Sequence, residues 1–167
     1  ITTTSLVTND TTPTITGKAE ANSTVKLLDG DKVIGTATAD SNGNFSITPD
    51  AALAEGVYSL TVTATDAAGN VSEKSAPVSV TIDTTAPNAP TDLATSRLVT
   101  NDTTPTITGK AEANSFVTLL NVNKVLGTAT ANNKGNFSIT SSTLAGDVYT
   151  LTVKSTDAAG NSSESTI

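Results

Sequence analysis

The chain has 167 residues with neither cysteine nor histidine, so it offers no disulfide framework, no thiol nucleophile, no Ser-His-Asp machinery and no histidine-ligated zinc. Its net charge of −7 argues against nucleic acid and anionic membrane surfaces as partners. No hydrophobic run reaches spanning length and no signal-like segment opens the chain, so membrane insertion is not expected and the sequence reads as an internal piece of a longer protein.

In chain order, residues 1–10 are polar and Thr-rich, consistent with an incoming linker and a short first strand. A second strand is expected over 14–19, with Pro13 just ahead of it, where a missing amide is tolerated. A third over 24–28 and a fourth over 32–39 flank Asp29, Gly30 and Asp31, a strong hairpin signal. Asp40, Ser41, Asn42 and Gly43 turn the chain into a fifth strand over 44–48, with Phe45 and Ile47 on one face. The loop 49–56 has room for a short helical turn. The sixth strand shows the clearest period of two: Tyr58, Leu60, Val62 and Ala64 alternate with Ser59, Thr61, Thr63 and Thr65. Tyr58 stands where a sandwich often forms a tyrosine corner. After a TDAAGN turn, Val78, Val80 and Ile82 mark a seventh strand.

This order then repeats. LVTNDTTPTITGKAEANS at 6–23 recurs unchanged at 98–115, 92 residues on. GTATA (35, 127), GNFSIT (43, 135), VY (57, 148) and TDAAGN (65, 156) follow in the same order, the offset slipping to 91 in the loop before Val148. The chain is therefore a tandem array, with repeat one at 1–86 and repeat two at 87–167 joined by TTAPNAPTD at 84–92, whose two prolines favour an extended, semi-rigid connection. Seven short strands in the first repeat and six in the second, with turn signals between them and no helical periodicity, predict an all-β chain of tandem immunoglobulin-like antiparallel sandwiches arranged end to end. Ile167 aligns with Ala76, so repeat two is expected to lack its final strand, leaving the edge at 149–154 unpaired unless a neighbour supplies a strand.

The combination TNDTTPTITGKAEANSTVKL, GTATADSNGNFSI, YSLTVTATDAAGN and IDTTAP resembles the bacterial immunoglobulin-like repeats of giant secreted adhesins, including biofilm-associated proteins exported by type I secretion. That family often has Trp after the Gly-Asn of the fifth strand, where this chain has Phe45 and Phe137. The resemblance implies an extracellular or cell-surface bacterial protein whose repeats form a stalk for adhesion and biofilm formation. The partners it implies are neighbouring repeats of the same chain, with any host or surface ligand bound elsewhere in the parent. The alternative is a module that itself binds glycan or protein.

No enzyme is expected, since the carboxylates fall in turns, where Asp and Asn serve the backbone. Alternating threonines such as Thr61, Thr63 and Thr65 read as soluble β-formers rather than a ligand face. Phe116, the one unmatched aromatic, is expected to pack on the linker prolines. Asp40 to Asn44 has the spacing of a small calcium loop, but repeat two has Lys134 at a ligand position, so the stretch reads as a turn. Calcium is expected instead at the junction of the modules. Following the strands up and down, Glu112 and the turn of Asp157 and Asn161 fall at the end of repeat two that receives the linker, while Asp83 and Asp10 fall at the outgoing end of repeat one. Oxygen-only ligands select a hard cation, and interdomain calcium in adhesin repeats adds to this expectation. Glu20 and Asp66 would form the matching half-site at the free end.

Overall fold

A computed structural model describes residues 1–95 and 100–167. The chain divides into two compact units, Ile1–Thr84 and Thr85–Ile167. No helix occurs among the described residues.

The first unit contains β1 (Leu6–Thr8), β2 (Ile15–Lys18), β3 (Thr24–Asp29), β4 (Lys32–Thr38), β5 (Asn44–Ile47), β6 (Gly56–Thr65) and β7 (Val78–Ile82). One sheet has the order β1-β7-β6-β3-β4, and β2 pairs with β5 in a second. The core lies between them, because alternation sends every second side chain inward: Ile15, Phe45 and Ile47 from the small sheet meet Val25, Leu27, Leu60, Val62, Val78, Val80 and Ile82 from the large one. Gly17 faces Phe45 across the β2–β5 ladder, and a Cβ at Gly17 would run into the Phe45 ring. Glycine and aromatic ring thus form one packing unit, repeated by Gly109 and Phe137. β1 pairs with β7 in parallel, Leu6 opposite Val80 and Thr8 opposite Ile82.

The second unit contains β8 (Thr91–Thr95), β9 (Thr106–Lys110), β10 (Phe116–Asn121), β11 (Lys124–Thr130), β12 (Asn136–Thr140), β13 (Leu151–Thr156) and β14 (Ser162–Thr166). Its sheets run β11-β10-β13-β14 and β12-β9-β8. Ile107, Val117, Leu119, Phe137, Ile139, Leu151 and Val153 rebuild the same core. The two long hairpins share even their irregularity, a register shift at Leu27/Leu28 and again at Leu119/Leu120. The tyrosine corner forms in both units: Tyr58 donates its hydroxyl proton to the carbonyl of Ala54 at 2.9 Å, and Tyr149 donates to Ala145 at 3.1 Å. The second-unit counterpart of β1, at 98–100, lies largely outside the described residues.

Two expectations are corrected. The loop 49–56 holds no helical turn; its amides go to neighbouring segments, Asp50 N–H to the Ile34 carbonyl and Leu53 N–H to the Thr11 carbonyl, which satisfies the backbone without a helix. The edge at 149–154 is not left wholly unpaired either. Residues 162–166, which align with 71–75, form β14 and pair with β13 from Thr152 opposite Thr166 to Thr156 opposite Ser162. Their run of Ser and Thr carries no apolar face, yet it supplies the backbone partners that an exposed edge lacks. In the first unit the same segment is irregular, and the hydroxyls of Ser72 and Ser75 accept the amides of Ala64 and Val62. β7 then covers the other half of β6, from Leu60 opposite Val78 to Gly56 opposite Ile82. No strand does this in the second unit among the described residues, and β13 begins only at Leu151.

Candidate functional site

The acidic turns come first. Asp40 Oδ1 accepts the amides of Asn42 and Asn44, both at 2.8 Å, and Oδ2 accepts Asn44 Nδ2 at 3.0 Å. The Asn44 side chain and then its amide hold the Asp40 carboxyl below the ordinary carboxylate range. Asn132 repeats the turn without a charge, accepting from the amides of Lys134 and Asn136. Asp66 is used alike: Oδ1 accepts the Ala68 and Asn70 amides and Oδ2 accepts Asn70 Nδ2 at 2.8 Å, which again lowers its pKa, the Asn70 side chain contributing most. In the second unit Asp157 Oδ1 accepts the amides of Ala159, Gly160 and Asn161, and Oδ2 accepts Asn161 Nδ2 at 2.9 Å. Asp10 accepts the Thr12 amide and hydroxyl. Each carboxylate closes its own turn.

The register places the remaining candidates. Thr24 lies opposite Thr65, so Glu20, four residues before β3, and Asp66, one after β6, share one end of the first unit. They line one cleft of about 450 Å³ together with Glu73. Phe116 lies opposite Thr156, which puts Glu112, Asp157 and Asn161 at the corresponding end of the second unit. Asp83 donates its amide to the Thr8 carbonyl at 3.0 Å, so Asp83 and Asp10 belong to the opposite end of the first unit. Within each unit, then, the acids gather as the strand order requires. Among the described residues no three of them stand close enough to share a metal ion. Phe116 is half exposed in its ladder, between Thr130 and Thr156.

Sequence reading did not single out the second cleft, of about 410 Å³, within the second unit. Pro105, Ile107, Leu144, Tyr149, Leu151 and Ile167 line it, with Thr100 to Asp102 along one side.

A two-layer β-sandwich built twice in tandem on one packing scheme defines an immunoglobulin-like class. A family model described as bacterial Ig-like domain matches residues 1–84 and again 87–167, and the chain belongs to that family. Among curated proteins it is similar to a protein named chitinase A1 from Niallia circulans, 42% identical over 111 residues, which is 62% of this chain and 16% of that one. Solved structures similar to it include the BSP domain of a biofilm associated protein (22% identity, TM-score 0.37, 99% of this chain and 28% of that one). A tetra-tandem repeat from the extending region of a large adhesion protein matches at 23% identity and TM-score 0.40, over 96% of this chain and 46% of that one. The Yersinia pseudotuberculosis adhesin InvE matches at 15% identity and TM-score 0.39, over 97% of this chain and 55% of that one. The chain spans less than two thirds of each of these proteins. Among the described residues no helix is long and apolar enough to cross a membrane.

Proposed function

We propose that the two units are extender modules of a bacterial surface or secreted adhesin, acting as stalk rather than as catalyst. The observation that carries this reading is the repetition of one complete packing scheme, with Ile15, Val25, Leu27, Phe45 and Ile47 matched by Ile107, Val117, Leu119, Phe137 and Ile139. Duplicating a whole core while leaving Ser- and Thr-rich surfaces adds length and adds no new chemistry. Neighbouring repeats of the same chain are its proposed partners and the cell exterior its proposed location. The strand order, which brings the chain in at one end of a unit and out at the other, supports an end-to-end arrangement of the modules. Small-angle scattering of the full chain tests this. An elongated particle is the expected result, and a compact one with the modules side by side would overturn it.

The same proposal includes calcium at the joint, held by Asp83 with Glu112 and Asp157 and stiffening it. Extracellular sites bind with dissociation constants of about 10⁻⁴ to 10⁻³ M, so at tenfold excess the ion adds only about 1.4 kcal/mol by linkage. Its role is then stiffness rather than folding. Flexibility of the full chain should fall with millimolar calcium and recover with chelator, and Asp83→Ala should respond to neither. Equal flexibility in every condition removes calcium from the proposal and leaves the extender reading to the scattering profile.

A further inference from the structure

Asn42 and Gly43 form the single Asn-Gly pair in the chain. Glycine has no side chain to shield its backbone nitrogen, so in a mobile peptide that nitrogen reaches the side-chain carbonyl of a preceding asparagine and attacks it. In the first unit the two halves of this reaction are held apart. Asn42 is exposed and its side-chain amide makes no hydrogen bond among the described residues, whereas Gly43 is buried, with φ of 78°. The Gly43 amide donates to the Asp40 carbonyl at 2.9 Å, and the Gly43 carbonyl accepts the Ala19 amide at 2.8 Å. A Cβ on Gly43 would run into the Ala19 carbonyl oxygen, so only glycine lets the turn lie this close to the end of β2. On either side, Asp40 Oδ1 accepts the amides of Asn42 and Asn44. The attacking nitrogen is thus tied into a turn that one carboxylate closes. The second unit builds the same turn without the pair, since Lys134 precedes Gly135 there.

We propose that Asn42 is a self-modification site, which deamidates to isoaspartate when the 40–44 turn opens, and that Asp40 guards it. The Gly43 backbone nitrogen bonds to Cγ of Asn42, its proton passes to water, and the side-chain nitrogen leaves as ammonia, giving a cyclic imide. Water then opens the ring, at the main-chain carbonyl to give isoaspartate or at the side-chain carbonyl to give aspartate. One water is consumed and one ammonia released, with no oxidant or reductant. Isoaspartate routes the main chain through the former side-chain methylene and so lengthens a turn that has no slack. The Gly43 bonds to Asp40 and Ala19 then lose their alignment, and the turn does not reclose as before. Lys18 lies opposite Asn44, so the damage reaches the first rung of the β2–β5 ladder, beside the packing of Gly17 on Phe45. Opening is therefore recorded irreversibly, and at this turn in the first unit alone. This inference does not depend on the extender reading.

The test ages the full chain in mildly alkaline buffer, which favours loss of the Gly43 amide proton, and maps the products by peptide mass spectrometry with isoaspartyl methyltransferase labelling. Asn42 should react before any other asparagine, yet at least about tenfold more slowly than in the peptide TADSNGNFSI copied from 38–47, because opening must come first. Asp40→Ala should raise the rate in the chain several-fold and leave the peptide's rate unchanged. Asp40→Asn, which keeps the acceptor as Asn132 does, should react as slowly as the unaltered chain. Ageing should lower the urea midpoint of the first unit and spare the second, and Asn42→Ser should abolish both the reaction and that loss. A rate in the chain equal to the peptide's, a first reaction at another asparagine, or no acceleration in a folded Asp40→Ala chain would each overturn the proposal. Should Asp40→Ala unfold the first unit, the comparison of chain with peptide decides.

Discussion

At single positions the two repeats serve as each other's control. The hairpin between β3 and β4 turns at Gly30, with φ of 59°, whereas its counterpart turns at Val122, with φ of 55°. A β-branched residue is strained in the left-handed region, and Val122, 78% exposed, gains no burial in return. Val122→Gly should therefore stabilise the second unit by about 1 kcal/mol, and Gly30→Val should destabilise the first by a similar amount, read from urea midpoints followed by resonances of each unit. The turn at Asp40 is set against Asn132 in the same way. Because hydrogen bonds from Asn44 hold the Asp40 pKa below its unfolded value, protonation favours the unfolded chain. That contribution is complete above about pH 3.9 and is lost as pH falls through the lower folded-state value. Asp40→Asn should remove part of the acid sensitivity of the first unit and none from the second, where Asn132 already fills the position. Thermal melts of each unit between about pH 2 and 5 check this.

Strands are where reading the sequence was strongest and where it failed. Alternation in 58–65 and 78–82 made their inward faces legible, since a strand with one wet side must place its apolar residues at every second position. Tyrosine corners and hairpins were legible for the same local reason, a fixed residue at a fixed offset. The pairing of 162–166 was not. Its Ser-Ser-Glu-Ser-Thr carries no alternation to detect, and the aligned segment of the first unit is irregular, so only the unmet backbone groups of β13 decide its state. The acidic candidates differ: strand order assigns each to an end of its unit, but the turn hydrogen bonds that occupy Asp66 and Asp157 depend on local geometry that composition does not reveal. The consequence for β6 and β13 is measurable. Amides of 56–59 should exchange slowly with the first core, whereas those of 147–150 should exchange within the time of a free loop. Equal protection in the two units would mean that the second has an edge partner for this segment after all.

Taken whole, the chain joins two units built on one packing scheme. Val78, Val80 and Ile82 are buried in the first, and each such side chain is worth about 1.5–3 kcal/mol. Val80→Ala should therefore lower the urea midpoint of the first unit, read from resonances of Leu60 and Val62, and leave that of the second, read from Leu151 and Val153, unchanged. The parallel pairing of β1 with β7 bears on a different property, resistance to force. A pull applied at the two ends of the first unit reaches Leu6 from one side and Ile82 from the other, so it slides two parallel strands past each other and loads their hydrogen bonds together. Stretched as a single molecule, the first unit should hold until these bonds break together and then lengthen in one abrupt event.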